Sequence, residues 1–341
     1  MQIASVGLDI SKHVFQIHAV DGAGEVVLQK RLRRSELLRF FGECDPCLIG
    51  IEACGTSHHW ARELTALGHQ VKLMPPAYVK AYVRGNKNDA VDAAAICEAV
   101  TRPTMRFVPI KGIEQQAVLV MHRVRSVLVR QRTMMANALR GHMAEFGIIA
   151  PQGLKAVREL GRLLEDPKVR VPDAARATLR TLIGQMAEVE MSIRDIEKRV
   201  VAWHRADETS RRLATIPGVG PITASAIAAT VSDATQFKSG REFAAWLGLV
   251  PRQKASGMKN VLSGISKRGD KYIRRLLISG AVAIVRYSRA KPTPERAWVN
   301  ALLQRRPAKV AAVALANKTA RIAWALMVRK EPYQSVLPKA A

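Results

Sequence analysis

The stretch QIASVGLDISKHVFQIHAVDGAGEVVLQKRL, residues 2–32, decides how the chain begins to fold. It contains three short runs typical of strands, at residues 2–9, 13–20 and 25–32. The first run is apolar and ends on Asp9, the second alternates, and the third follows a turn at Asp21-Gly22-Ala23-Gly24. Because this turn is typical of a tight hairpin, the stretch predicts three strands, of which the last two are antiparallel.

Outward from this hairpin, helix patterns alternate with strand patterns. Further strands are expected at 47–53 and 69–74, and helices near 35–42, near 57–67 and from Asn88 to about residue 100. The order β-β-β-α-β-α-β-α predicts an α/β domain at 1–110, in which helices cover a mixed sheet. Residues 101–112, which contain Pro103, Pro109 and Gly112, are expected to form a linker.

The remainder of the chain is predicted to be mainly helical. Two long helices are expected at about 113–146 and 174–204, separated by a stretch with Gly and Pro. Each carries an apolar stripe: Val124, Val127, Leu128, Met135, Leu139 and Met143 in the first, and Met186, Val189, Ile193, Ile196, Val200 and Trp203 in the second. The 3- and 4-residue spacing predicts an antiparallel coiled-coil hairpin at 113–205 that joins protomers into a dimer or tetramer.

The charge of the chain is strongly uneven. The formal net charge is +26, and residues 211–341 hold 24 Lys/Arg against 5 Asp/Glu, whereas residues 1–111 hold 14 against 11. Such a cationic region favours a polyanionic partner, because each neutralised phosphate releases counterions. A ribosomal-type or membrane-surface protein is the alternative, and the acid-bearing α/β domain in front argues against it.

Targeting signals and thiols give weaker indications. The start of the chain has no basic, apolar leader, and the apolar run 276–285 is too short to span a bilayer, so we expect a bacterial cytoplasmic protein associated with the nucleoid and no membrane partner. Cys44, Cys47, Cys54 and Cys97 are expected to be reduced thiols. A zinc site at Cys44 and Cys47 with His58 and His59 is a weaker alternative, because a second Cys pair at finger spacing is missing.

Four acids form the candidate catalytic constellation. Asp9 and Glu52 each end an apolar strand, and Asp89 and Asp92 stand three residues apart in one helix. Carboxylates that converge on one point need cations to remain ionised, which favours hard divalent ions, most plausibly two Mg²⁺ ions that act on a phosphodiester. The alternative for each acid taken singly is a helix cap or a turn residue.

The basic region is expected to form a C-terminal DNA-binding domain at 208–335, and a glycine-rich connection at 216–224 lies near its start. Its sequence, IPGVGPITA, stands between a helix ending near Ala214 and a helix at 221–231, as in a helix-hairpin-helix element. Gly218, Gly220 and Thr223 are candidate phosphate contacts, because glycines permit close approach and a helix N-terminus offers N–H groups. A tight connection between helices without a ligand is the alternative.

Basic motifs follow at FAAWLGLVPR (243–252), KASG (254–257) and ISKRGDKYIRR (265–275). From these motifs we select five cations as candidate phosphate contacts: Arg252, Lys267, Arg268, Arg274 and Arg275. The alternative is a solvated basic helix face. Ser256-Gly257 by itself predicts a turn in a basic loop. The last helices, at 276–287 and 308–328, carry apolar stripes that predict core packing.

The motifs VGLDISK (6–12), IEACGT (51–56) and NKNDAVDA (86–93), together with the C-terminal array, resemble the DEDD-type insertion-sequence transposases related to the Piv/MooV DNA invertases. The resemblance implies a fold like that of RuvC and ribonuclease H, with Asp9, Glu52, Asp89 and Asp92 as the D-E-D-D tetrad and Lys87 beside it. It also implies a serine nucleophile at Ser256, with Ser263 and Ser266 as competitors, and a structured non-coding "bridge" RNA that guides the recombinase.

Four functions are compatible with these patterns. A transposase that cleaves and rejoins DNA at the ends of its element is favoured, and a site-specific invertase or Holliday-junction nuclease shares the same metal chemistry. An actin-like kinase is suggested by residues 6–20, but it requires a second α/β domain where this chain is helical and cationic. A non-catalytic scaffold is disfavoured by the presence of all four acids. Target sequence and strand polarity are not encoded in any recognisable pattern.

Overall fold

The computed structural model describes residues 2–83, 88–256, 259–290 and 297–334. The chain divides into two compact units, Met1–Ile113 and Glu114–Ala341. The first unit spans the residues of the expected α/β domain and of the expected linker. The second contains both the expected coiled coil and the expected basic region, and a domain boundary between 205 and 208 stays a prediction.

The first unit is built on a five-stranded sheet with the order β3-β2-β1-β4-β5. Its strands are β1 (Ser5–Asp9), β2 (Val14–Val20), β3 (Val26–Arg33), β4 (Leu48–Glu52) and β5 (Gln70–Met74). Its helices are α1 (Leu37–Gly42), α2 (Ser57–Ala66), α3 (Pro76–Val79) and α4 (Asp89–Val100). A mixed sheet with helices, as the sequence predicted, is therefore confirmed.

Two kinds of pairing meet at β1. On one side β1 pairs antiparallel with β2, which pairs antiparallel with β3. The turn between β2 and β3 is closed by Asp21, whose carboxylate accepts from the N–H groups of Ala23 and Glu25 at 2.9 Å. On the other side β1 pairs parallel with β4, which pairs parallel with β5. Parallel neighbours place their carboxyl ends at the same edge of the sheet.

The core follows from the alternation of each strand. Val6 and Leu8 of β1, Phe15 and Ile17 of β2, and Ile49 of β4 are fully buried. Each such side chain contributes roughly 1.5–3 kcal/mol through removal of apolar surface from water. Residues 101–112 are non-helical, but they are not a free linker, because the Val108 N–H donates to the Leu73 carbonyl at 2.7 Å and extends the edge at β5.

The second unit is mainly helical. Its helices are α5 (Ile113–Ala144), α6 (Leu154–Glu165), α7 (Asp173–Ala206), α8 (Glu208–Leu213), α9 (Pro221–Thr230), α10 (Gly240–Trp246), α11 (Lys271–Ala290), α12 (Ala297–Arg305) and α13 (Ala308–Arg329). In the described residues, no helix is both long and apolar enough to cross a bilayer.

The two predicted apolar stripes differ in burial, and the coiled coil itself stays a prediction. Met186, Val189, Ile193 and Val200 of α7 are buried as expected. The sequence missed α6, whose apolar side chains join the lower half of α5 and α7 in one cluster. Further up α5, the stripe is open to solvent: Val124 is 43% exposed and Val127 is 50% exposed.

A two-stranded hairpin interrupts the helices of the basic region. It consists of β6 (Pro251–Ser256) and β7 (Lys259–Ile265), antiparallel, with Ser256 paired to Lys259. The sequence predicts a basic loop around Ser256, and the structure instead has a strand that ends at Ser256. The helical core beneath the hairpin is formed by α8 to α13, with Phe243, Leu247 and Ile273 among its buried side chains.

Candidate active site and nucleic-acid interface

Asp9 and Glu52 are brought together by the parallel pairing of β1 and β4. In this pairing Leu8 lies opposite Ile51, so the next residues, Asp9 and Glu52, end neighbouring strands at one edge. Neighbouring strands are about 4.8 Å apart. Both side chains are half-buried.

Helix α4 carries the other two acids toward the same edge. It lies directly on β1, where a Cβ added at Gly7 would stand 2.0 Å from the Ala93 carbonyl oxygen. Further along the helix, the Cys97 thiol lies 3.7 Å from the Ser5 carbonyl oxygen. Because Ala93 meets Gly7 and Cys97 meets Ser5, α4 runs antiparallel to β1. Its first turn, with Asp89 and Asp92, therefore faces the carboxyl end of β1.

The start of α4 is fixed by Asn88, whose side-chain oxygen accepts from the Val91 N–H at 2.9 Å, as a helix cap does. Asp89 is exposed and Asp92 is half-buried. Lys87, the expected basic neighbour of the acids, lies outside the described residues. The side chain of a capping residue thus sets where the two helical acids stand.

The thiol of Cys54 reports on the electrostatics of this edge. Burial raises its pKa, and the carboxylates of Glu52 and then Asp9 raise it further, so both acids lie close to one point. In the described part of the chain, however, no three Asp, Glu, His or Cys side chains stand close enough to hold one metal ion. Carboxylate oxygens are the donors that Mg²⁺ prefers. The acids thus share an edge and suit Mg²⁺ chemically, and the metal site stays a prediction.

In the second unit, the helix-hairpin-helix connection lies where the sequence predicted it, between α8 and α9. The glycine at 218 has a left-handed φ of +80°, and a Cβ there would stand 2.6 Å from Ile284 of α11. The close approach at Gly218 is therefore made to α11. Gly220 caps α9 in an extended conformation and has open space around it, whereas the side chain of Thr223 is only 7% exposed. Of the three predicted contacts, Gly220 is the best placed to approach a phosphate.

Two motifs of the basic region are joined through their backbones. A Cβ added at Gly269 would stand 1.8 Å from the Trp246 carbonyl oxygen, and one added at Gly248 would stand 2.2 Å from the Arg268 carbonyl oxygen. Both glycines have left-handed φ angles, of +73° and +72°. The motif FAAWLG and the motif SKRG are thus packed main chain to main chain, which holds the base of the β6–β7 hairpin.

The five predicted cations fall into two groups. Arg274 is 7% exposed, and its guanidinium donates to the carbonyls of Leu247 and Arg268 at 2.8 Å. These bonds account for Arg274 without a phosphate. The other four cations are exposed: Arg252, Lys267, Arg268 and Arg275. One of them, Arg275, also donates to the Ser126 hydroxyl at 2.9 Å.

The three candidate serines occupy different positions along the hairpin. Ser256 is the last residue of β6, next to residues 257–258, which lie outside the described residues. Ser263 is exposed on β7 and donates to the Arg252 carbonyl at 3.4 Å. Ser266 follows β7 at the base, where its N–H donates to the Val250 carbonyl at 2.8 Å. Of the three, Ser256 stands furthest from the helical core along the strands.

A buried polar network that the sequence analysis missed links α5 with α9 and α11. His122 is 2% exposed, and its ring nitrogens lie 3.0 Å from the Tyr272 hydroxyl and 3.1 Å from the Ser225 hydroxyl. Burial, with a smaller contribution from Arg125, lowers the pKa of His122 to about 4. A lone histidine within a helix pattern gives no sequence signal for such a network, because its partners are more than 100 residues away.

Comparison with known proteins places these features in one family. A family model described as transposase, of the DEDD type found in IS110 elements, matches residues 6–148, and a model described as transposase IS116/IS110/IS902 family matches residues 210–295. A probable family 20 transposase of Pseudomonas aeruginosa is 49% identical over 98% of this chain and 99% of its own length.

Two further relatives are transposases by name. The transposase for insertion sequence element IS1328 of Yersinia enterocolitica is 41% identical over 94% of this chain and 96% of its own. The transposase for insertion sequence element IS1111A of Coxiella burnetii is 40% identical over 97% of this chain and 92% of its own. The similarity therefore extends over almost the entire length of this chain and of each of these relatives.

Proposed function

Because the chain belongs to the IS110/IS116/IS902 family of insertion-sequence transposases, we propose that it cleaves and rejoins DNA strands at the ends of its element with the acids Asp9, Glu52, Asp89 and Asp92. The observation that supports this proposal is the edge of the sheet: Asp9 and Glu52 end neighbouring parallel strands, and α4 directs its acidic first turn to the same edge.

These four residues would hold Mg²⁺, in the proposed pair of ions. Bound Mg²⁺ supplies Lewis-acid stabilisation to the oxygens of a phosphodiester. The chain contributes the placement: strand ends fix Asp9 and Glu52, and the Asn88 cap fixes the first turn of α4. Half-burial of Asp9, Glu52 and Asp92 limits the water around them, which strengthens electrostatic interactions with a bound cation.

We propose Ser256 as the nucleophile. Its hydroxyl oxygen forms a bond to phosphorus while the phosphorus–oxygen bond to the leaving nucleotide breaks, and the serine proton passes to the departing oxygen through water. Attack by the hydroxyl end of another strand reverses the step and rejoins DNA. The position of Ser256 at the end of β6 supports this role, because that end of the hairpin lies away from the helical core. Ser263 and Ser266 are the alternatives.

For contact with the DNA backbone, we propose Gly220, Arg252, Lys267, Arg268 and Arg275, and Lys87 near the acids. The exposure of the four cations on the second unit supports the assignment. Gly218, Thr223 and Arg274 are better explained by packing and burial. The excess of cations also suits a guide RNA, and base pairing of such an RNA would supply the target specificity.

The open stripe on α5 supports a homo-oligomer, as a dimer or a tetramer. The stripe contains four exposed apolar residues, Val120, Val124, Val127 and Met134. Together with the polar Gln131, they follow one another at alternating 4- and 3-residue spacing. Such spacing is that of a coiled-coil seam, which a second copy of α5 would cover.

A recombination assay with the native flanking DNA tests the proposal. We compare wild type with Asp9→Asn, Ser256→Ala, Ser263→Ala and Ser266→Ala, and measure strand cleavage, covalent protein–DNA adduct and DNA binding. Asp9→Asn should reduce cleavage at least 1000-fold, on the order expected for loss of a catalytic group, with DNA binding retained. Ser256→Ala should abolish the adduct. Cleavage by Asp9→Asn at the wild-type rate would overturn the metal-site assignment.

A further inference from the structure

We call the edge of the sheet at which Asp9 and Glu52 end their strands the acidic edge. An open pocket of about 720 Å³ lies on the first unit at this edge. It is lined by His13, Val14, Arg33, Arg34, Ser35, Leu38 and Trp60. Val14, the first residue of β2, pairs with Arg33, the last of β3, whereas Asp9 pairs with Gln16. The pocket therefore lies at the same edge of the sheet as Asp9, beyond β2, but on the face covered by α2, whereas Asp9 shares the face of Gly7 that α4 covers.

Within this pocket, Arg34 is held in a fixed orientation by aromatic rings. Its guanidinium carbon lies 4.8 Å from the centre of the Trp60 ring and 5.9 Å from that of Phe15. The two rings pack edge to face at 5.2 Å, and the backbone N–H of Arg34 donates to the His13 carbonyl at 2.9 Å. Stacking occupies the face of a guanidinium and leaves its N–H edges available, so little entropy is lost when those edges bind an anion.

The pocket lacks a carboxylate partner for this cation. Glu36, the nearest acid in sequence, accepts from the Arg33 backbone N–H at 2.8 Å. Across the ranges that the structure describes, no Asp or Glu oxygen stands within ion-pair distance of Arg33 or Arg34. In the same ranges, the buried indole N–H of Trp60 has no acceptor. Two cations without a carboxylate partner in one open pocket favour an anionic oxygen ligand.

We propose that this pocket binds a backbone phosphate of the DNA strand that crosses the acidic edge, with Arg34 as the principal contact. This inference rests on the proposed function, because it assumes that DNA is the substrate. β3 is two strands away from β1, which alone separates the pocket from Asp9 by about 10 Å, and the offset along β2 and the opposite face add to this distance. The phosphate in the pocket is therefore further along the strand than the scissile one. Binding it on the β2–β3 side fixes the direction in which the strand runs.

The charge-neutral variant Arg34→Gln tests the contact through the salt dependence of binding. Full-length protein is titrated with single-stranded oligonucleotides from the element end, in EDTA, between 50 and 300 mM salt. Loss of one phosphate contact should reduce the magnitude of the slope of log K against log salt by about 0.7, the value for a single strand. The matched control is Arg39→Gln, which removes an exposed arginine that pairs with Glu43 at 3.2 Å, outside the pocket. Its slope should equal that of wild type.

A phosphate scan tests the same contact from the side of the DNA. Single phosphates are replaced one at a time by uncharged methylphosphonate. Wild type should lose affinity about tenfold at one or two positions a few nucleotides from the cleavage site, and Arg34→Gln should show no further loss at those positions. Equal sensitivity of wild type and Arg34→Gln at every position would overturn the proposal, even if Arg34→Gln were also less stable.

The indole N–H of Trp60 reports whether the pocket is occupied, because the Arg34 guanidinium stacks on the Trp60 ring. Its proton resonance, assigned with Trp60→Phe, should shift on addition of the oligonucleotide at micromolar concentration. A shift with millimolar inorganic phosphate alone would indicate a site for free anions and would overturn the assignment to DNA. Arg34→Met, which retains the apolar stem, should abolish the shift while the thermal unfolding temperature stays within a few degrees.

Failure of this inference is distinguishable from failure of the proposed function. The binding experiments are made in EDTA and do not depend on cleavage. Unchanged salt slope and phosphate sensitivity in Arg34→Gln would overturn the pocket and leave the Asp9→Asn result intact. Cleavage by Asp9→Asn would overturn the metal chemistry and leave the pocket intact.

Discussion

The acidic edge of the first unit and the cationic surface of the second are built in opposite ways. At the acidic edge, Asp9 and Glu52 end strands whose central residues are buried, so the core that stabilises the unit also positions the charges. In the second unit, neighbouring arginines have different environments: Arg274 bonds two carbonyls inside the structure, and Arg275 stands at the surface. Charge alone therefore does not identify a phosphate contact, and burial separates the two kinds of cation.

The most disruptive change we expect is Gly269→Ala, which tests whether the second unit depends on the contact between its two motifs. The added methyl group collides with the Trp246 carbonyl oxygen and the residue must keep a φ of +73°. Strain and overpacking together should destabilise the second unit by about 4 kcal/mol, measured by urea unfolding.

Gly264→Ala is the matched control for this change. The glycine lies in β7, and a Cβ there meets no atom within 4 Å. Its free energy of unfolding should stay within about 1 kcal/mol of wild type. Equal stability of the two variants would show that the backbone contact is not needed.

The next largest effect separates the two arginines. Arg274→Gln should lower the free energy of unfolding by about 3 kcal/mol, because it removes charged hydrogen bonds to two buried carbonyls. Arg275→Gln should change stability by less than about 0.5 kcal/mol and lower the salt slope of DNA binding by about one. A loss of stability in Arg275→Gln together with a change of the salt slope in Arg274→Gln would contradict this distinction between the buried and the exposed arginine.

A smaller effect is expected from pH, through His122. Its pKa is about 4 in the folded chain and 6.5 as the ordinary value, so the unfolded chain binds a proton more readily. Stability from the neutral ring is therefore full above pH 6.5 and declines as pH falls toward 4. Between pH 7.5 and 5, the loss should be about 2 kcal/mol.

Urea unfolding of the second unit at several pH values measures this loss. Burial also lowers the pKa of His204, so wild type is compared with His122→Gln, whose stability should fall less over the same range. His142→Gln, which removes an exposed histidine, serves as the control and should follow wild type. A parallel decline in all three proteins would contradict the prediction.

The smallest effect probes the acidic edge itself. Asn88→Ala removes the cap of α4 and should destabilise the first unit by about 1 kcal/mol. Asn88→Asp retains an acceptor and should remain within a few tenths of wild type. Thermal unfolding of both variants measures the difference, and a full loss in Asn88→Asp would argue against a capping role.

The sequence predicted the first unit well because its signals are local. Strands there are apolar or alternating runs of five to eight residues, and turns such as Asp21-Gly22-Ala23-Gly24 stand between them, so the sheet and the positions of Asp9 and Glu52 followed from short windows. The family resemblance then named the set of four acids. The direction of α4 depends on the contact between Gly7 and Ala93, which no local window contains.

The second unit was predicted less well because its signals are distant in sequence. The hairpin β6–β7 has few apolar residues and many polar ones, so its alternation is weak. The contacts of Gly248 and Gly269 join motifs that are about twenty residues apart. The same holds for Arg34 in the first unit, whose guanidinium contacts side chains from both β2 and α2. Structure alone reveals such contacts.

The contact between Gly7 and Ala93 has a consequence for how the chain tolerates evolutionary drift. Main-chain atoms, and not interlocking side chains, set the separation between helix and sheet at that point. Amino-acid exchanges elsewhere in the hydrophobic interior alter volumes and rotamers, but they leave this separation unchanged. A lineage that retains a glycine at position 7 is therefore free to replace much of the surrounding interior while its acids keep their spacing.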